Sequence, residues 1–129
     1  MAKRNATIPS IDIFVEGTPY AKQSFRFKHN GKNYISAGVR AWQDTISAIT
    51  LSEYRGKVLE IPLGVQLDFF YRWDADVDNF SKCVLDALQG IVFKNDRQIV
   101  ALMITKRKGT EKIGVRIRIH DWRSFNVRY

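Results

Sequence analysis

Residues 72–96 hold the densest acid in a chain of 129 residues whose formal net charge is +8. Asp74, Asp76 and Asp78 alternate there, Asn79, Lys82 and Asp86 follow, and Asn95 and Asp96 close the stretch. Crowded carboxylates repel one another until a cation arrives, so such a cluster in a basic protein points to a metal site. Calcium fits badly: an EF-hand loop begun at Asp74 requires glycine at its sixth position and glutamate at its last, where this chain has Asn79 and Leu85. Magnesium, with manganese as a substitute, needs only a few carboxylate oxygens and leaves its other positions to water and phosphate, which suits phosphodiester chemistry.

Asp76 and Asp78 lean to one side if a strand runs through Asp76, and Asp96, opening the next strand, returns beside them if the two strand ends meet. Asp74 is then peripheral. Lys82, one helical turn after Asp78, would neutralise the acids at rest, hold the attacking water or stabilise charge growing on the phosphate, with Asp86 a further turn along to hold it. Spacing alone leaves a second reading, in which Asp78 caps a helix, Lys82 and Asp86 form an exposed ion pair, and Asp74 and Asp76 are solvated.

The elements that must position these residues follow from periodicity. Ile11, Ile13 and Val15 alternate with polar or aromatic neighbours as a strand ending at Gly17. Residues 22–40 are basic and interleaved with aromatics, and the Asn30-Gly31 pair marks a tight hairpin turn. A helix over about 38–55, with Ser36 as a possible cap, carries Val39, Trp42, Ile46 and Ile49 on one face. After Pro62, Val65, Leu67, Phe69 and Tyr71 form the apolar face of a strand. A second helix over 78–89, capped by Asp78 and stopped by Gly90, gathers Phe80, Cys83, Val84, Ala87 and Leu88 on one arc. A turn at 94–96 leads to strands over 98–108 and 112–120, and a tail over 121–129 holds Trp122, Phe125 and Tyr129 to dock or to join a partner. The expected fold is a single α+β domain over residues 1–129, with residues 1–10 a flexible N-terminus and two main helices on a mainly antiparallel, mixed sheet.

The charge makes a polyanion the natural partner. One cysteine, Cys83, excludes an intrachain disulfide and a cysteine-rich zinc site. No signal-peptide core or membrane-spanning run is present in the sequence, so the expectation is a soluble cytoplasmic protein without membrane contact. His29 and His120 read as surface histidines.

Taken together, Asp76-Val77-Asp78-Asn79-Phe80-Ser81-Lys82, Asp86-Ala87-Leu88 and Asn95-Asp96-Arg97-Gln98-Ile99 resemble the RusA family of Holliday junction resolvases, whose pattern is D-x-D-N-x-x-K, D-x-L and D-D-x-Q-V. Gly17, Pro19, Lys22 and Arg26 are similar to its G-x-P-x-x-K-x-R-x-R segment, and Gly31, Tyr34 and Trp42 to its G-x-x-Y and W-E. The departures are Asn95 for the first acid of the D-D pair, Ser24 and Phe25 for the usual R-P, and Gln43 for the glutamate after Trp42. The resemblance implies a homodimeric, magnesium-dependent endonuclease that cuts four-way DNA junctions by paired nicks. It implies Asp76, Asp78 and Asp96 as metal ligands and Lys82 as the essential lysine, supported by Asp86, Asn79 and Asn95.

Junction binding would be largely electrostatic. Lys22, Arg26, Lys28, Lys32 and Arg40 are the first DNA-binding candidates, and Lys106, Arg107 and Lys108 the next, unless those three are only a solvated hairpin end. Phe25 and Phe27 either stack on unpaired bases or pack the hairpin. Paired cuts on a two-fold substrate require a two-fold dimer. The remaining alternatives are a noncatalytic DNA- or RNA-binding module and a nuclease with broader branched-DNA or flap specificity.

Overall fold

The computed structural model of the chain describes residues 10–20, 28–29, 32–33, 37–72, 77–108 and 111–125. The strands are β1 (Ile11–Glu16), β2 (Lys28–His29), β3 (Lys32–Asn33), β4 (Leu63–Tyr71), β5 (Ile99–Lys108) and β6 (Gly114–Asp121). The helices are α1 (Ala37–Glu53) and α2 (Val77–Leu88), with 3-10 turns at Asp96–Gln98 and Trp122–Phe125. The main sheet has the order β1-β6-β4-β5; β6 runs antiparallel to both neighbours, and β4 and β5 are parallel. This is the expected α+β architecture, with two antiparallel pairings and one parallel. A parallel pair needs a crossover, and α2 supplies it.

Alternation along each strand decides what lies under the helices. Ile11, Ile13 and Val15, the odd positions of β4 from Leu63 to Tyr71, and Val115, Ile117 and Ile119 are buried against α1 and α2. α1 closes on that face with Val39, Trp42, Ile46 and Thr50. Thr50 is fully buried where the sequence pattern suggested Ile49, because its hydroxyl is satisfied internally by donating to the Ile46 carbonyl at 2.7 Å. Gly17 ends β1 at φ 145°, and a Cβ there would lie 2.7 Å from the Trp42 ring. Glycine therefore meets two demands at once, a left-handed backbone and close approach of the indole.

The tail begins by docking on its own chain. The Trp122 amide donates to the Pro62 carbonyl at 3.0 Å, and Asp121, itself the last residue of β6, accepts from the Arg123 amide and guanidinium at 2.9–3.0 Å. Residues 126–129 are outside the described residues.

The face of the sheet turned away from the helices carries a buried carboxylate. Asp68 is 2 % exposed and accepts from Thr105 Oγ1 at 2.5 Å, Arg118 Nη2 at 2.6 Å and Gln66 Nε2 at 3.3 Å. Burial alone would raise its pKa, but the three donors outweigh it and hold the carboxyl below its ordinary range. His120, expected at the surface, instead lies half-buried over Gly64, where an added Cβ would meet the imidazole at 2.4 Å. Burial pushes its pKa below the ordinary value.

Both shifts have the same sign for stability. A depressed folded pKa means the unfolded chain binds the proton more readily, so stability is present above the unfolded pKa and is lost as pH falls. The expected melting temperature is flat above neutrality, falls as pH drops below 6.5 and falls again below 3.8, the ordinary values of the two groups. Asp68→Asn shrinks the lower step and costs about 2 kcal/mol at neutral pH by weakening the charged hydrogen bond from Arg118. Thermal melts across pH check the profile and urea denaturation the cost of the variant; unchanged stability in the variant would contradict it.

Candidate active site

Aromatic stacking fixes where α2 begins. Phe80, in its first turn, packs on Phe69 with ring centroids 5.3 Å apart and meets Tyr71 edge-on at 5.0 Å. The phenyl ring therefore pins the helix start over the carboxyl end of β4. From the other side, Gln43 Nε2 donates to the Cys83 carbonyl at 3.1 Å and Ser47 Oγ to the Ala87 carbonyl at 3.0 Å. An ionised glutamate, the family's usual residue after this tryptophan, could not make the Gln43 bond. Cys83 is buried, as expected of a core residue.

α2 starts one residue earlier than the sequence suggests, so Asp78 is its second residue and not its cap. The side chains of Asp78 and Asn79 are outside what is described, and Asp74, Asp76, Lys22, Phe25, Arg26 and Phe27 fall outside the described residues altogether. Lys82 and Asp86 follow on the helix as an i,i+4 pair, Nζ to Oδ1 3.7 Å, with side chains 57 % and 25 % exposed. Such a pair adds little stability. Its effect is to restrain a lysine one turn past Asp78.

Asp96 does not return beside α2's start within the chain. Because β4 and β5 are parallel, with Leu63 aligned to Ile99 and Tyr71 to Lys108, β5 begins at the end of the sheet where β4 begins. Asp96 opens the 3-10 turn that leads directly into β5, whereas α2 starts on the carboxyl-end side of β4. The twelve residues of α2 separate the two places by about 18 Å at ~1.5 Å per residue. The expectation of meeting strand ends fails because a crossover helix carries the chain back to the origin of the first strand before the second starts.

What holds Asp96 is the neighbouring glutamine. Gln98 Oε1 accepts from the Lys94 and Asn95 amides, both at 2.9 Å, while its Nε2 donates to the Leu59 and Ile61 carbonyls at 2.8 and 3.0 Å. All four hydrogen-bonding capacities of the amide are used. Asn95 caps the short turn, its Oδ1 accepting from the Arg97 amide at 2.9 Å. Asn95 thus shapes the turn that presents Asp96, a role its sequence position beside an acid did not reveal.

The basic candidates divide. Arg40 is exposed on α1, and Lys28 and Lys32 lie in the β2–β3 ladder that brackets Asn30 and Gly31, consistent with the expected hairpin. Lys106, Arg107 and Lys108, ranked second from sequence, lie exposed at the carboxyl end of β5, level with Phe69, Phe70 and Tyr71. They therefore flank the start of α2. Crevices outside the carboxyl ends of parallel strands are where open α/β sheets bind ligands, and here that end carries the charge for phosphate.

Hard carboxylate oxygens suit a divalent ion. Among the described residues, however, no three His, Cys, Asp or Glu side chains converge on one point. Asp96 lies at the opposite end of α2 from the start of that helix.

The Gln98 network yields a direct test. Gln98→Glu replaces two donors by an acceptor facing the Leu59 and Ile61 carbonyls, with an expected loss of about 2–4 kcal/mol. Urea denaturation checks this, and a variant within about 0.5 kcal/mol of wild type would contradict it.

No helix among the described residues is long and apolar enough to cross a membrane. No curated protein matches the chain. A family model described as Endodeoxyribonuclease RusA matches residues 16–120. That match includes β1's end, both helices and β4 to β6, with the segments of the D-x-D-N-x-x-K and x-D-x-Q signatures, and the chain belongs to the RusA family of Holliday junction-resolving endodeoxyribonucleases.

Proposed function

We propose that this protein resolves four-way DNA junctions by paired, symmetric, magnesium-dependent nicks made by a homodimer. The observation that carries the reading is the polarity of the β4–α2–β5 unit, which sets Asp96 beyond the carboxyl end of α2 and Asp78 in its first turn. A site needing both ends of the unit calls for two copies, and a substrate with two equivalent strands to cut calls for two sites. Asp76 and Asp78 of one copy, with Asp96 of the partner subunit, would hold the divalent ion, whose Lewis acidity is what it supplies.

The chain's own residues perform the rest. Lys82, restrained by Asp86, brings a positive charge to the phosphate as its negative charge grows. Lys106, Arg107 and Lys108 draw the backbone of a junction arm to the carboxyl end of β4 and β5. Arg40 and the basic residues of 22–32 extend the contact to neighbouring arms. Phosphate contacts of this kind position a branched substrate by its shape and carry no base sequence.

Cleavage of a synthetic four-way junction, with magnesium or with chelator, tests this. Wild type nicks symmetrically with magnesium and not with chelator; Asp76→Asn and Asp96→Asn bind the junction normally but lose activity, and Lys82→Ala loses about 10²-fold or more. Replacing Lys106 and Lys108 by alanine weakens binding and lowers its salt slope by about one to two. Wild type that binds junctions without cutting them in either condition would leave a noncatalytic binding module, and equal cutting of flaps would broaden the substrate.

A further inference from the structure

We propose that Gln43 and Ser47 of α1 are positioning residues for Lys82: their side chains form two rungs on backbone carbonyls of α2 that fix its rotation, and with it the arc from which the lysine reaches the phosphate. The task given to Lys82 rests on the nuclease reading above; the rungs rest on geometry alone. Gln43 Nε2 donates to the Cys83 carbonyl at 3.1 Å and Ser47 Oγ to the Ala87 carbonyl at 3.0 Å. Donors and acceptors are thus spaced alike, one helical turn or about 6 Å apart on each helix. The lower-numbered donor meets the lower-numbered acceptor, so α1 and α2 lie side by side and run in the same direction.

Two such bonds define a register that apolar contact does not. Burial of apolar surface is non-directional, whereas a hydrogen bond weakens steeply once its angle falls below about 120°. A slip of one residue, about 1.5 Å along the axis and a turn of about 100°, breaks both rungs together. Each rung also meets a need of α2. Ala87 is among the helix's last four residues, whose carbonyls lack partners in the ladder. The Ile91 amide, four residues on, donates instead to the Leu88 carbonyl at 3.0 Å, and Ser47 satisfies what it leaves. The Cys83 carbonyl takes the Gln43 amide on one of its two lone pairs.

The rungs connect a firmly seated helix to the one that carries the lysine. α1 is anchored by buried Val39, Trp42, Ile46 and Thr50, and Trp42 closes on Gly17. Gln43 and Ser47 each follow one of those anchors, half-buried on the flank that meets α2. On α2, Cys83 and Ala87 each follow one member of the Lys82–Asp86 pair. Rungs and ion pair are therefore one residue out of step on the same two turns, and fixing one fixes the other. Phe80 pins where α2 starts, and the rungs govern its rotation beyond that point. A side-chain tip about 5–6 Å from the axis moves about 2 Å when the helix turns by ~20°. In a reaction that depends on positioning, a shift of about 1 Å costs on the order of 10²-fold.

Single-turnover nicking of a synthetic four-way junction with magnesium tests this. Gln43→Met keeps the length and helix preference of the side chain without the donor, and Ser47→Ala removes only the hydroxyl. Together they are expected to lower the nicking rate constant by about 10-fold or more, with junction affinity within about twofold of wild type and an unchanged circular dichroism spectrum. Ser47→Thr, which retains a hydroxyl, is expected to recover rate relative to Ser47→Ala. The comparison that isolates the lysine is made in the Lys82→Ala background, where removing both rungs is expected to cost less than about twofold. Should Lys82→Ala cut too slowly to follow, the loss of rate without loss of affinity, and its recovery by Ser47→Thr, decide the matter. An equal loss with and without Lys82 means structural support alone and overturns the role. A doubly altered protein as fast as wild type overturns it too and leaves the nuclease reading intact. Wild type that never nicks a junction removes that reading and the task of Lys82 with it.

Discussion

The parallel pairing of β4 with β5 constrains everything else in this protein. A parallel pair cannot be closed by a tight turn, so α2 must cross over the sheet, and the crossover fixes the direction in which each signature residue is presented. The first turn of α2, with Asp78, belongs to the carboxyl end of β4, and Asp96 belongs to the opposite end. Phe80, held between Phe69 and Tyr71, and Gln98, holding four backbone groups, are the two fastenings that make those positions definite.

These fastenings give physical meaning to signature residues that do no chemistry. Gln98 is as much a part of the family pattern as the acid two positions earlier, and its amide ties the turn bearing Asp96 to the segment that leads into β4. Glycine and tryptophan from the first half of the signature likewise meet, Gly17 making room for the Trp42 ring. On the far face of the sheet, Asp68, Thr105 and Arg118 link three adjacent strands through one buried carboxylate. That network holds the Asp68 carboxyl below its ordinary range and stands apart from the α2 side, where the proposed catalysis takes place.

Much of the fold was legible because its signals are local. Alternation along 11–15, 65–71 and 113–119 identified the strands and their buried faces, and the spacing of Phe80, Cys83, Val84, Ala87 and Leu88 identified the arc of α2 that packs inward. Thr50 in the core and His120 over Gly64 were not legible, since each depends on a particular partner: the Ile46 carbonyl for one, the absence of a side chain on the adjacent strand for the other. For the site, sequence could name candidate residues but not their arrangement. Whether β5 runs parallel or antiparallel to β4 leaves no trace in the periodicity of either strand, yet it decides which end of α2 Asp96 occupies and brings the basic end of β5 beside the start of the helix.

The central claim is that Asp96 serves the active site of the other copy. Mixing Asp78→Asn with Asp96→Asn, each inactive alone, tests it most directly. If the acids act across the dimer, a mixed dimer holds one doubly altered site and one intact site, so junction nicking returns in roughly half of the randomly reassorted dimers. If all three acids act within one chain, every site in the mixture carries a lesion. Restored nicking is the predicted result; a mixture as inactive as either variant, with subunit exchange verified, would contradict the account.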